Sequence, residues 1–346
     1  MPRAMNSSRF PWVDHLKALG ILLVVAGHCA LPDEQHQWIY AFHMPLFFLI
    51  SGFLIAPGAL AVSTRAFFMR RIWKLVKYYA LFGLLGTAAY CYMFRHDQPL
   101  SAALAGRGWS LVYASASHHS PADLYPIALW FFPGLITGLL ITFAVWKIPT
   151  PRARAFAMTA VVTAGFLMED RALPWELESG CVAAGFIALG YCARVADWDG
   201  GLRRIPRRRA LAVAAAALLL GSCLALLNPH SLDIGNARIG NPLLAIPACA
   251  LLLLAVTIFA MQLPASKIAQ AVAAATIVIF PTHQLVFPHL DRLALKLGVL
   301  DPGLAAGPAW YGWAKATTIV AATSLAHAAY VRAKSRQPRA VPTVLP

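Results

Sequence analysis

An ionisable side chain inside a long apolar run is costly to keep there, so such residues are the first candidates for chemistry. The richest run reads WVDHLKALGILLVVAGHC and carries Asp14, Lys17 and His28. Lys17 and His28 are eleven residues apart. On a helix that is about three turns, which puts them on one face about 16 Å apart. Asp14 and Lys17 stand at i,i+3 and can pair. One reading makes them an interfacial ion pair, with His28 capping the far end of the helix. The other makes His28 a proton-transfer group in a polar cavity. A second run, AFHMPLFFLISGFLI, places His43 before Pro45. Pro45 frees a backbone carbonyl, and the small pair Ser51–Gly52 permits a close helix contact. A third run, ATIVIFPTHQLVF, sets His283 after Pro281.

Depth relates the three histidines. If both helices start at one membrane surface, Asp14 to His28 is 14 residues and Lys267 to His283 is 16. At 1.5 Å per residue these are about 21 and 24 Å. His43 lies about five residues in from the outer end of its own run. Three histidines at one level suggest a polar cavity in the outer half of a bilayer. A metal would need a ligand spacing such as HxxxH or HxxE, and none is present, so no metal site is expected. A neutral histidine is suited to accept the proton of a hydroxyl. Near the opposite end of the third span stand Arg70, Arg71, Lys74 and Lys77. Such a cluster fixes topology, touches anionic lipid, or clamps phosphate.

Helices must hold these groups. Of the 346 residues 59% are apolar and 12% charged, the latter about half the usual share of a globular protein. Mean hydropathy is +0.63. Apolar runs recur near the ~20 residues that cross a hydrocarbon core. The fold expected is all-α, a polytopic transmembrane bundle forming one domain over 1–346. Spans fall at 12–31, 38–56, 72–93, 124–146, 153–168, 175–193, 210–227, 242–262, 268–287 and 310–331, about ten in all. The polar stretch 94–123, with His118 and His119, reads as a long loop. The stretch 288–309, broken by Pro288, Pro302 and Pro308, reads as a loop with a short surface helix at 289–298.

With the N-terminus inside, inner segments hold 21 basic residues and outer segments 6, while Lys17 and Lys315 sit within spans. This is the positive-inside pattern, with both termini and a basic tail at 332–346 in the cytoplasm, as for a cell inner membrane protein. The net charge of +15 therefore sits at the ends of apolar runs rather than on a polar face, and nucleic acid is not an expected partner. Cys29, Cys91, Cys181, Cys192, Cys223 and Cys249 show no CxxC spacing and read as small buried residues. The first run carries Asp14, His15 and Lys17 at its start, which does not fit a cleavable signal peptide. A transporter or flippase of a small polar or lipid-linked substrate would also use intramembrane charge and helix-breaking prolines. No internal repeat supports one built from repeated halves.

Taken in order, these segments resemble the acyltransferase 3 family of membrane acyltransferases, in particular the fucose 4-O-acetylase-like branch. VDHLKALGILLVVAGH is similar to the family's first-helix signature of an aspartate, a basic residue three on and a histidine eleven later. Lys17 stands where arginine is frequent; it keeps the charge and loses the bidentate fork. FHMPLFFLISGFLI, ALWFFPGLITGLL, AAGFIALGY and IVIFPTHQLVF resemble later motifs. Arg70 and Arg71 fall where the family has a basic cytoplasmic loop. The resemblance implies transfer of an acyl group, foremost acetyl, from acyl-CoA to a hydroxyl of a cell-surface or lipid-linked glycan. Acetyl-CoA is then a donor substrate, and no cofactor is bound. His28 is the first choice for the base and His283 the second, with Asp14 and Lys17 beside them in the catalytic helix. Arg70, Arg71 and Lys74 would bind donor phosphates; His43 and Trp130 would touch the acceptor. Phosphates inside and histidines near the outside leave two routes open: a pantetheine arm threaded through the bundle, or relay through an acyl-histidine.

Overall fold

The computed structural model describes residues 10–116, 124–300 and 308–336. Among them the chain forms fourteen α-helices and no strand. These are α1 (Pro11–Gly27), α2 (Asp33–Tyr40), α3 (His43–Phe53), α4 (Thr64–Phe67), α5 (Trp73–Met93), α6 (Leu100–Tyr113), α7 (Phe131–Val145), α8 (Pro151–Leu167), α9 (Leu177–Val195), α10 (Trp198–Arg203), α11 (Arg207–Leu227), α12 (Pro242–Gln262), α13 (Lys267–Lys296) and α14 (Ala309–Arg336). Among the described residues, four stretches are long and apolar enough to cross a membrane: Ile127–Val145, Arg207–Leu227, Pro242–Gln262 and Lys267–Lys296.

Several helices start where the sequence supplies both a cap and a proline. Thr150 accepts the Ala153 N–H at 3.3 Å before Pro151, and Asn241 accepts the Leu243 N–H at 3.0 Å before Pro242. Proline fits there because its missing N–H is one that the first helical turn leaves unpaired. The run expected as one span over 38–56 is instead two helices, broken at Ala41–Phe42. The cause is Pro45, whose ring would clash with the carbonyl four residues earlier, that of Ala41. The expected loop over 288–309 is also corrected. α13 runs without a break through Pro281 and Pro288 to Lys296. Similarly, 94–123 contains α6, which packs on α5 through the Tyr79 hydroxyl donating to Leu111 O at 2.8 Å. His118, His119 and Pro302 lie outside the described residues.

α1 packs against α3, α12, α13 and α14, while α9 packs against α3, α7 and α8. α3 and α9 meet at glycines: a Cβ on Gly52 would lie 1.9 Å from Ile187 O, and one on Gly190 2.0 Å from Leu49 O. Small residues at such positions let helix backbones approach where no hydrophobic effect drives them together. One end of the bundle gathers cations. Arg71 donates to Leu54 O beyond the end of α3, Lys147 donates to Val62 O, and Arg194 lies over the Phe10 and Phe53 rings. Trp12, at the start of α1, meets Phe53 there as well. Of the cysteines, Cys29, Cys181 and Cys249 are buried as expected, whereas Cys192 and Cys223 are exposed. They lie on outward helix faces, which hydropathy alone does not separate from inward ones.

Candidate functional site

The histidine end of the bundle lies opposite these cations. α1 delivers His28 at its C-cap, and α13 delivers His283; their ring centroids are 5.2 Å apart. His283 is fully buried, with Nδ1 3.1 Å from Ile279 O. A carbonyl only accepts, so Nδ1 carries the proton and Nε2 the lone pair. That buried Nε2 has no hydrogen-bond partner among the described residues. His28 is half-buried, and its Nδ1 lies 3.3 Å from Gln284 Nε2. Gln284 in turn accepts the Ala128 N–H on Oε1 at 3.0 Å. His43 is buried, donates from Nδ1 to Ile39 O at 2.8 Å, and has its ring 4.8 Å from Tyr40. The structure therefore brings His28 and His283 into contact and leaves His43 in the adjoining layer, within electrostatic range of His28.

Aromatic rings form a floor one turn below His283. Phe280 stacks on Phe131 at 4.4 Å and meets Phe47 edge-on at 5.8 Å. Gly20 of α1 faces the Phe47 ring, where an added Cβ would come within 3.0 Å. On the other side a polar cavity of about 840 Å³ is lined by Asp33, His36, Gln37, His230, Asp233 and Asn241, among others. Its wall includes the turn closed by the Asp233–Arg238 bridge. His36 stacks on Tyr40 at 4.0 Å, and Tyr40 lies against Gly27, next to His28. These rings connect the cavity wall to the residue that precedes His28. Burial lowers the His36 pKa, and the carboxylates of Asp233 and Asp33 pull it back up.

The other expected residues lie elsewhere. Asp14 and Lys17 share α1 near the opposite end, where the Asp14 charge acts on Lys17. They are not in the histidine cluster. Arg70 and Arg71 occupy a π-helical turn, Phe68–Ile72, at the cation end; such turns are frequent at functional sites. Arg70 and Lys74 are exposed, and Arg71 is half-buried, which lowers its pKa. Trp130 is buried against Phe48 and Gly235 rather than open to the cavity.

Sequence reasoning missed Gln284, His36 and Tyr40. Gln284 follows His283 directly in sequence, but only the fold shows that it reaches both His28 after α1 and the turn before α7. It also missed the partner of Lys315, whose Nζ lies 2.9 Å from Asp291. That contact exists because α13 continues past Pro288.

Residues 10–327 match the family described as an acyltransferase domain, the acyltransferase 3 family, and the chain belongs to it. It is a membrane acyltransferase. No curated protein and no solved structure matches the chain.

Proposed function

We propose that the protein is an inner-membrane O-acyltransferase that moves an acyl group, foremost acetyl, from acyl-CoA to a hydroxyl of a cell-surface or lipid-linked glycan. In this reading about ten segments span the membrane, and both termini face the cytoplasm. The observation that carries it is the His28–His283 pair, 5.2 Å apart beside a polar cavity, within a chain of an acyltransferase family. A sugar hydroxyl is a poor nucleophile near neutral pH, and a positioned imidazole that takes its proton accelerates attack on a thioester by roughly 10²–10⁴. The cavity offers carboxylates, amides and imidazoles, which suit a polyol, and its volume lies within the range of about 300–1,000 Å³ usual for small-molecule sites.

A second cavity supports a lipid-linked acceptor. It is an apolar crevice of about 770 Å³ lined by Val162, Phe186, Leu253 and others, and it shares the 229–241 turn with the polar cavity. Leu232 and Ile239 line the crevice, while Asp233 and Arg238 line the polar side. A lipid chain in the one would leave its sugar in the other. At the far end, Arg70, Arg71 and Lys74 would bind the phosphates of acyl-CoA. The aromatic floor of Phe47, Phe131 and Phe280 lies between the two ends, so the acyl group must pass it. The test is purified protein in nanodiscs with radiolabelled acetyl-CoA and the glycan fraction of the host. Label on the glycan as a base-labile ester supports the enzyme; substrate movement without acyl transfer would support a transporter instead.

A further inference from the structure

The buried Nε2 of His283 has no partner among the described residues. A buried acceptor left unpaired is costly, so it calls for a reason. We propose that Gln284 is a positioning residue that fixes His28 as the hydrogen-bond donor of the pair and leaves His283 Nε2 as its proton acceptor. The proposal rests on the acyl-transfer reading above and assigns the roles within it.

Ala128 lies in the 3₁₀ turn Ile127–Trp130 that leads into α7. Its backbone N–H can only donate, so the Gln284 atom 3.0 Å away is the carbonyl oxygen. The amide is thereby oriented, and its NH₂ faces His28 Nδ1 at 3.3 Å. Nδ1 of His28 must then accept, and its proton sits on Nε2. His283 has the opposite tautomer, because Nδ1–H is pinned to Ile279 O. Two touching imidazoles thus present one N–H and one lone pair.

Protonation favours the same division. When His283 Nε2 takes a proton, the cation keeps its bond to Ile279 O, and that bond becomes charge-assisted and stronger. For His28 to act as a base in its resting tautomer, its free nitrogen would have to be Nδ1. Freeing it would turn the Gln284 amide away and give up the Ala128 bond. In the transfer step the acceptor O–H proton moves to His283 Nε2 and the hydroxyl oxygen bonds to the thioester carbonyl carbon. His28 Nε2–H donates to the oxyanion. Collapse breaks the C–S bond, and the leaving thiolate takes the proton from His283, giving CoA thiol and the ester. For this the acceptor must part the two rings, since His283 is fully buried at rest.

Gln284→Glu separates this assignment from its rival. A carboxylate at 284 still accepts from Ala128 N–H but also accepts from His28, which moves the His28 proton to Nδ1. If His28 is the base, that change completes a carboxylate–imidazole pair and kcat holds or rises. If His28 is the donor, its Nε2–H is lost. Loss of one oxyanion donor costs roughly 10²–10³ in kcat, with the KM for acetyl-CoA within about two-fold of wild type. The assay is acetyl transfer by wild-type and Gln284→Glu protein in nanodiscs at pH 8. It is paired with ¹⁵N spectra of histidine-labelled wild type without substrate, assigned by difference against His28→Asn and His283→Asn. We expect Nε2–H for His28, Nδ1–H for His283 and a kcat at least tenfold down. A His28 signal of the Nδ1–H form, or a kcat for Gln284→Glu equal to or above wild type, overturns the proposal. The spectra need no turnover, so a protein that transfers no acetyl group defeats the functional reading while the tautomers are still decided.

Discussion

Gly190 offers a test of the frame that holds the site. A methyl group there would lie 2.0 Å from Leu49 O and 2.8 Å from Phe53 N. Ordinary contact begins near 3.4 Å, so Gly190→Ala must separate α3 from α9 by about 1.4 Å. Both clashing groups are backbone, and no side-chain rotation relieves them. Overpacking costs about 1–3 kcal/mol where side chains can adjust, and here the upper end of that range applies. At roughly 2–4 °C per kcal/mol for a large domain, the midpoint should fall by roughly 6–12 °C. The assay is thermal loss of the monodisperse peak of detergent-solubilised protein on size exclusion. Gly106→Ala is the control, since no described residue lies within 4 Å of a Cβ there. A shift below about 2 °C for Gly190→Ala would refute the close α3–α9 contact and with it the placement of the helix that carries His43.

Arg70→Gln with Arg71→Gln should leave insertion normal and raise the KM for acetyl-CoA; lysine at both positions should rescue only in part if the contact is bidentate. An unchanged KM in the inserted double variant would leave these arginines as topology markers. Asp291→Asn should destabilise by about 1–3 kcal/mol, less than the ~3–5 of a fully buried pair, because Lys315 is 8% exposed and Asp291 38%. Asp291→Leu with Lys315→Met should recover most of that loss in the same thermal assay. A reporter fused after Pro346 should be active only in the cytoplasm, as the charge alternation requires; periplasmic activity would reverse the orientation.

Much of the frame was legible because hydropathy is a local signal. The helices α11 and α12, and the stretch Ile127–Val145 that contains α7, fall within a few residues of the expected spans. The misses came from prolines and from contacts between distant segments. Pro45 breaks a helix because it removes the bond to the Ala41 carbonyl. Pro288 does not, although its local rule is the same, because α14 packs along α13 and Lys315 holds Asp291. The stretch 94–123 is polar on average and so reads as loop, while within it Leu111 of α6 meets α5 on one side. In the candidate site, depth along the helices placed His28 and His283 at one level, and they touch. Depth says nothing about rotation round the helix axis. Gln284 and Tyr40, which surround the pair, are visible only once the helices are packed. The same limit applies to Trp130, which lies buried beneath the turn at Gly235.

The most direct measurement is the acetyl-ester content of the surface glycan, read by mass spectrometry. The cells compared lack the protein or carry wild type, His28→Ala, His283→Ala or His43→Ala at matched membrane levels. The account predicts esters with wild type and none without the protein. It predicts a fall of roughly 10²–10⁴ in transfer rate for His28→Ala and for His283→Ala, as loss of the oxyanion donor or of the base would give, and a smaller fall for His43→Ala. Ester content unchanged without the protein, or within a few-fold of wild type in both His28→Ala and His283→Ala, would contradict it.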